Sequence, residues 1–307
     1  MSLPQRVRIG LDIGATKVHG VAVDEAGSIV AEFREPTEPG PEGVVRSAAV
    51  VVAALRASGR LTRPEPLGPI GVGVPGLVNP DRGTVKHAVN LGLDGEWFPL
   101  GELLATRLAT PVLVENDVNV ATLGAHVLAG VDDVAYVSLG TGLAAGMVLD
   151  GVLRRGDHGA AGEIGHLPID PNGQLCSCGQ RGCLELVASG SAVAAAWPTD
   201  GQPPAQALFE AAAAGDPKAI DVRDRFAAGV AAAVRVIALA VDPRVVVIGG
   251  GVANLGEPLR VAVATALAAQ AATSPFLASL DLAGRVRVVP ADVPVAALGA
   301  AMLAQGR

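Results

Sequence analysis

RIGLDIGATKVHGVAVD, residues 8–24, has a diverged second copy in VAYVSLGTGLAAGMVLD, residues 134–150. Ile13-Gly14, Gly20 and Asp24 of the first correspond to Leu139-Gly140, Gly146 and Asp150 of the second, each 126 positions further on. Apolar positions correspond as well: Leu11 to Val137, Val21 to Met147, Val23 to Leu149. Each copy places apolar runs on both sides of a glycine-bearing turn, the pattern of a β-hairpin. Two halves that each open on such a hairpin predict two related domains with a cleft between them.

Around the repeat, short β-branched runs alternate with Ala/Leu-rich stretches. LGPIGVGVPG, PVLVEND, RVVVIGGGV and RVRVVPAD have strand character, whereas GVVRSAAVVVAALRASG, NVATLGAHVLAG, DRFAAGVAAAVRVIALAV and PLRVAVATALAAQAA have helical character. The alternation predicts an α/β architecture. The boundary is expected just after PVLVEND, giving domains of 1–118 and 119–293. The final segment, within 294–307, is a helix free to pack on either domain; the first is the expected one.

Half of the 307 residues are hydrophobic and 17% are charged, which excludes intrinsic disorder. A net charge of −7 and only 3% aromatics argue against nucleic-acid binding. The most apolar stretch, Phe226 to Val241, is interrupted by Arg235, so no membrane span is expected. The N-terminus lacks a secretory signal, and a cytoplasmic protein is expected.

All three cysteines, Cys176, Cys178 and Cys183, fall in C-x-C-x4-C. With His166 ahead of them they make a Cys3His set, whose soft donors suit zinc; His158 is the competing fourth ligand. Four protein ligands leave no open position, so the metal is expected to be structural. Glu163 and Glu185 flank this cluster, where a stapled loop would hold them for hydrogen bonds to a polyol. His166 can bind the metal through one ring nitrogen and offer the other to a substrate hydroxyl.

Other motifs suit a phosphorylated ligand. The LDIGATK turn gathers Asp12, Gly14, Thr16 and Lys17: bare backbone and a hydroxyl for phosphate, and a carboxylate for hydrated Mg²⁺. It is no Walker A loop, and an ordinary charged hairpin tip would look the same. SLGTG, with Gly140, Thr141 and Gly142, is its counterpart, and the two turns form a plausible polyphosphate clamp. Gly249 and Gly250 follow an apolar strand, either as bare backbone for a ligand or as a plain turn. In VEND, Asn116 or Asp117 can cap a helix. An ionised Asp117 can instead accept a hydroxyl proton during phosphoryl transfer.

Together LDIGATK, VPGLVNP, Asn90-Leu91, VEND, SLGTG, GEIGH and CSCGQRGCLE resemble the ROK family (repressors, uncharacterised frames and sugar kinases), of the actin-like sugar kinase/Hsp70 fold. The likeness spans nearly the whole chain. It implies ATP with Mg²⁺ as co-substrate and a hexose, glucose first, as acceptor. It implies Asp117 as base, and Gly76, Asn90, Asn116, Asp117, Glu163, His166 and Glu185 as sugar ligands. It also implies zinc on His166, Cys176, Cys178 and Cys183, and a homodimer or homotetramer. Two positions depart from the family pattern: Ala15, where a second glycine is common, and Ala125, where a glutamate is common. N-acetylmannosamine, N-acetylglucosamine and fructose remain alternative acceptors, and polyphosphate an alternative donor. A repressor of the family would carry a DNA-binding segment ahead of the first phosphate motif, where only about ten residues stand.

Overall fold

The computed structural model describes residues 7–58 and 68–303. It divides into two units, the first comprising 1–130, 155–159 and 294–307, the second 131–154 and 160–293. The first unit thus continues past 118 through one more helix, and a short return of the chain at 155–159 joins it.

In the first unit β1 (Arg8–Ile13), β2 (Lys17–Val23) and β3 (Ile29–Pro36) form an antiparallel meander, followed by helix α1 (Pro41–Ala57). Strand β4 (Ile70–Val74) leads into a small hairpin of β5 (Leu77–Asn79) and β6 (Thr84–Lys86). Helix α2 (Leu100–Leu108), strand β7 (Val112–Asn116) and helix α3 (Asp117–Ala129) complete the run. The sheet order is β3-β2-β1-β4-β7, with β1, β4 and β7 parallel. Helix α1 starts at a proline, suited to the first helical position, and buries Val44, Ala48, Val51, Val52 and Leu55 at helical spacing. They pack with Ile9, Leu11 and Ile13 of β1, and each large side chain contributes roughly 1.5–3 kcal/mol.

The second unit repeats the plan. Strands β8 (Val134–Leu139), β9 (Leu143–Leu149) and β10 (Val152–Leu153) form its meander. After the return of the chain to the first unit at 155–159, residues 160–189 run through turns, isolated bridges and two short 3-10 turns, Ile164–His166 and Leu184–Leu186. After them come α4 (Gly190–Ala196), α5 (Pro204–Ala213), α6 (Pro217–Val241), β11 (Val245–Gly249), α7 (Glu257–Ala271), α8 (Pro275–Ser279), α9 (Leu282–Arg285) and β12 (Val286–Val288). The order is β10-β9-β8-β11-β12, with β8, β11 and β12 parallel. It matches the first sheet strand for strand.

Strands β8 and β9 begin and end at the positions of β1 and β2 displaced by 126. Their turn is tighter, however. Ile13 faces Val18 across Gly14–Lys17, whereas Leu139 faces Leu143 across Gly140–Gly142.

Helix α10 (Val295–Met302) returns to the first unit and lies against α3, β1 and β4. A methyl on Gly71 of β4 would collide with the Ala300 carbonyl oxygen, and one on Gly299 with that of Val120. Glycine and alanine at this seam let the backbones meet. That contact keeps α3 in the first unit, which is why the unit extends to 130 rather than ending near 118. Among the described residues, no helix is long and apolar enough to cross a membrane.

Candidate active site

The β7–α3 junction carries the Asn116–Asp117 pair. Asn116 is the cap: its Oδ1 accepts the backbone N–H groups of Val118 at 2.9 Å and Asn119 at 3.2 Å. Its Nδ2 donates to the Gly76 carbonyl at 3.2 Å. Gly76 has φ +98°, and a side chain there would press on the Lys86 carbonyl at 2.6 Å, so glycine is required. Asp117 opens the helix, with its Oδ1 at 2.9 Å from the Val118 N–H. A helix N-terminus favours negative charge. Asn90 stands exposed on a 3-10 turn, Val89–Leu91.

Asp12, near the end of β1, belongs to the same unit. Burial, and then the charge of Asp117, push its carboxyl up to about 7, with Lys17 opposing. The turn after it closes through Gly14 N–H to the Lys17 carbonyl at 3.0 Å, and Thr37 Oγ1 donates to the Gly14 carbonyl at 2.7 Å. Ala15, Thr16 and Lys17 are exposed. Neither Gly14 nor Ala15 has positive φ, so alanine replaces the family's second glycine without backbone strain. Ala125 is fully buried in α3, a place that would exact a high cost from an ionised glutamate.

In the second unit the Gly140 N–H reaches the Gly142 carbonyl at 3.1 Å, and the Gly140 carbonyl accepts the N–H of Gly190 at 2.8 Å. Thr141 and Gly142 are exposed. Gly249 and Gly250 have a packing reason of their own. A side chain on Gly249 would strike the Tyr136 hydroxyl, and Gly250, at φ +85°, abuts the Leu139 carbonyl.

His166, Cys176, Cys178 and Cys183 converge, with one ligand atom of each within 4.8 Å of the others. The Cys178 and Cys183 sulfurs are 3.6 Å apart, and the Cys176 sulfur lies 3.9 Å from His166 Nδ1. A tetrahedral zinc with bonds of about 2.3 Å would set its sulfurs about 3.8 Å apart, so the cluster fits that ion. Hydrogen bonds from Gln180 pull the Cys178 thiol down to about 6, while burial pushes Cys183 up to about 12. His158, 90% exposed beside Asp157, is not in the cluster. Glu185 Oε1 accepts from the Cys176 thiol at 3.1 Å and lies 3.5 Å from His166 Nδ1, and its Oε2 sits over Gly142. Glu163 is exposed, its carbonyl accepting the His166 N–H at 3.2 Å.

One pair was not anticipated from the sequence. Glu115, 2% exposed, binds Arg155 Nε through Oε2 at 2.6 Å. No spacing signals it, because 40 residues separate the partners.

Sheets of matching strand order, each opened by a glycine-bearing hairpin, are the architecture of the actin-like sugar kinases, phosphotransferases that act on an alcohol group. Known proteins agree. The chain belongs to the ROK family, whose model matches residues 8–307. It is 35% identical over 271 residues to a glucokinase of Streptomyces coelicolor, covering 81% of this chain and 83% of that one. It is 34% identical over 248 residues to an N-acetylmannosamine kinase of Yersinia pseudotuberculosis, covering 80% and 82%. The crystal structure of a ROK family glucokinase from Streptomyces griseus, in complex with glucose and AMPPNP, superposes with a TM-score of 0.76 at 33% identity. That match covers 98% of this chain and all of the other.

Proposed function

We propose that the protein transfers the terminal phosphoryl group of ATP to a hexose, with glucose, at its 6-hydroxyl, as the preferred acceptor. The observation that carries the reading is the β7–α3 junction, where Asn116 caps the helix and Asp117 stands at its first position. Asn90, Asn116, Glu163, His166 and Glu185 bind ring hydroxyls, and Gly76 holds Asn116 in place. Asp117 accepts the proton of the attacking hydroxyl as its oxygen bonds to phosphorus and ADP departs. Gly14, Thr16, Lys17, Gly140, Thr141 and Gly142 hold phosphate oxygens through backbone N–H groups, hydroxyls and the ammonium, and Gly249 and Gly250 offer bare backbone to the nucleotide. Mg²⁺ arriving with ATP offsets charge on the phosphates, and Asp12 is the hard oxygen donor suited to it.

Zinc belongs on His166 Nδ1 and the three thiolates. Four protein ligands close the site, so the ion fixes the loop that carries Glu163 and Glu185, and His166 Nε2 stays available to a sugar hydroxyl. Use of ATP accords with a cytoplasmic location.

The second reading is an N-acetylhexosamine kinase, favoured by the N-acetylmannosamine kinase relative. Assaying ADP release with glucose, fructose, N-acetylmannosamine and N-acetylglucosamine separates the two. Glucose is expected to give the highest kcat/KM; a higher value for N-acetylmannosamine would reassign the acceptor, and no turnover with any sugar would overturn the kinase reading.

A further inference from the structure

Glu115 is a buried carboxylate to which the reaction above gives no task. It stands one place before the Asn116–Asp117 pair, and burying an ion is costly unless it is paired and hydrogen-bonded. Three donors serve it. Oε1 accepts the backbone N–H of Asn116 at 3.0 Å and Asn119 Nδ2 at 2.9 Å, while Oε2 takes Arg155 Nε. One oxygen therefore stitches the end of β7 to the first turn of α3, and the other is held by a cation.

That cation comes from the short return of the chain at 155–159. Its neighbour Arg154 turns to the second unit, where its guanidinium donates to the Leu149 carbonyl at 3.0 Å and to Asp150 Oδ2 at 3.3 Å. Consecutive arginines thus fasten the chain on either side of its passage from one unit to the other.

We propose that the Arg155–Glu115 pair is a positioning device for phosphoryl transfer: it fixes the carboxylate that sets the β7–α3 junction, and so aims Asp117. The inference rests on the role given to Asp117 above. Neither side chain is a catalytic residue. The geometry of the Arg155 Nε bond orients the Glu115 carboxylate, and lysine would keep the charge while losing part of that orientation.

The test compares Arg155→Met, Arg155→Lys and the double variant Glu115→Gln/Arg155→Met with wild type. It measures hexose kinase kcat and KM, and amide hydrogen exchange at residues 116–119. Misplacing a reacting group by about 1 Å can cost ~100-fold, so Arg155→Met should lose about ten- to a hundredfold in kcat with both KM values little changed. Arg155→Lys should recover part of that loss. Arg155→Met leaves a buried charge alone and can fail to fold. The double variant removes both charges, and its amide oxygen can still accept from Asn116 and Asn119. It should fold, with depressed kcat and faster exchange at 116–119. A folded double variant with wild-type kcat, or a lysine variant no better than methionine, overturns the proposal. A wild type that phosphorylates no hexose refutes the reading of the site instead. Exchange alone then judges the pair: faster exchange in the double variant sustains it, and unchanged protection overturns it.

Discussion

Asp12 carries the electrostatic imprint of Asp117: after burial itself, the charge at the start of α3 is what holds the β1 carboxyl up at about 7. In the unfolded chain the same group titrates near 3.8. Between these values the folded state keeps a proton that the unfolded state has lost. The contribution of Asp12 to stability therefore falls as pH rises from about 4 to about 7 and levels off above, by something of the order of 4 kcal/mol. Asp12→Asn removes the penalty. In magnesium-free buffer the variant should be more stable than wild type at pH 8, with the difference shrinking steadily toward pH 4. Urea melts across this range check it, and equal stability at pH 8 would contradict it.

A second expectation concerns the Cys3His cluster. Purified protein should hold about one zinc per chain through dialysis, since four-ligand structural sites bind tightly. Cys178→Ser should lose the metal and, with it, affinity for the sugar, because the loop bearing Glu163 and Glu185 loses its staple. Metal analysis together with sugar titration reads both. Active, chelator-free protein without zinc would refute the assignment.

The hairpins were legible because Gly14 and Gly140 mark equivalent turns in a repeat that survives in the strand bounds themselves. The Cys3His cluster was legible because its three cysteines lie within eight residues of sequence, and His166, preferred there over the more distant His158, is the histidine that converges with them. Long-range closure was not legible. Gly71 and Gly299 pack backbone on backbone from opposite ends of the chain, and nothing in local propensity shows that α10 claims α3 for the first unit. Glu115 lies inside VEND, where only Asn116 and Asp117 had a role to suggest. Its significance came from Arg155, which arrives by the return of the chain at 155–159. The cap showed the limit of motif reading: VEND offered Asn116 and Asp117 equally, and the extended backbone at Asn116 (ψ 146°) assigned the cap to it.

That assignment makes Asp117→Asn a clean test of the base. Asn116 Oδ1 holds the first turn of α3 through Val118 and Asn119, so helix α3 keeps its start whatever stands at 117. Asparagine is nearly isosteric with aspartate and can still hydrogen-bond a sugar hydroxyl, but it cannot take the proton. The variant should therefore fold, retain zinc and keep much of its hexose affinity. Turnover should fall by roughly 10² or more, the scale of general acid–base catalysis. Steady-state kinetics beside calorimetric sugar binding separate the two effects. A kcat near that of wild type would reduce Asp117 to a sugar ligand, and loss of binding with kcat preserved at saturation would do the same.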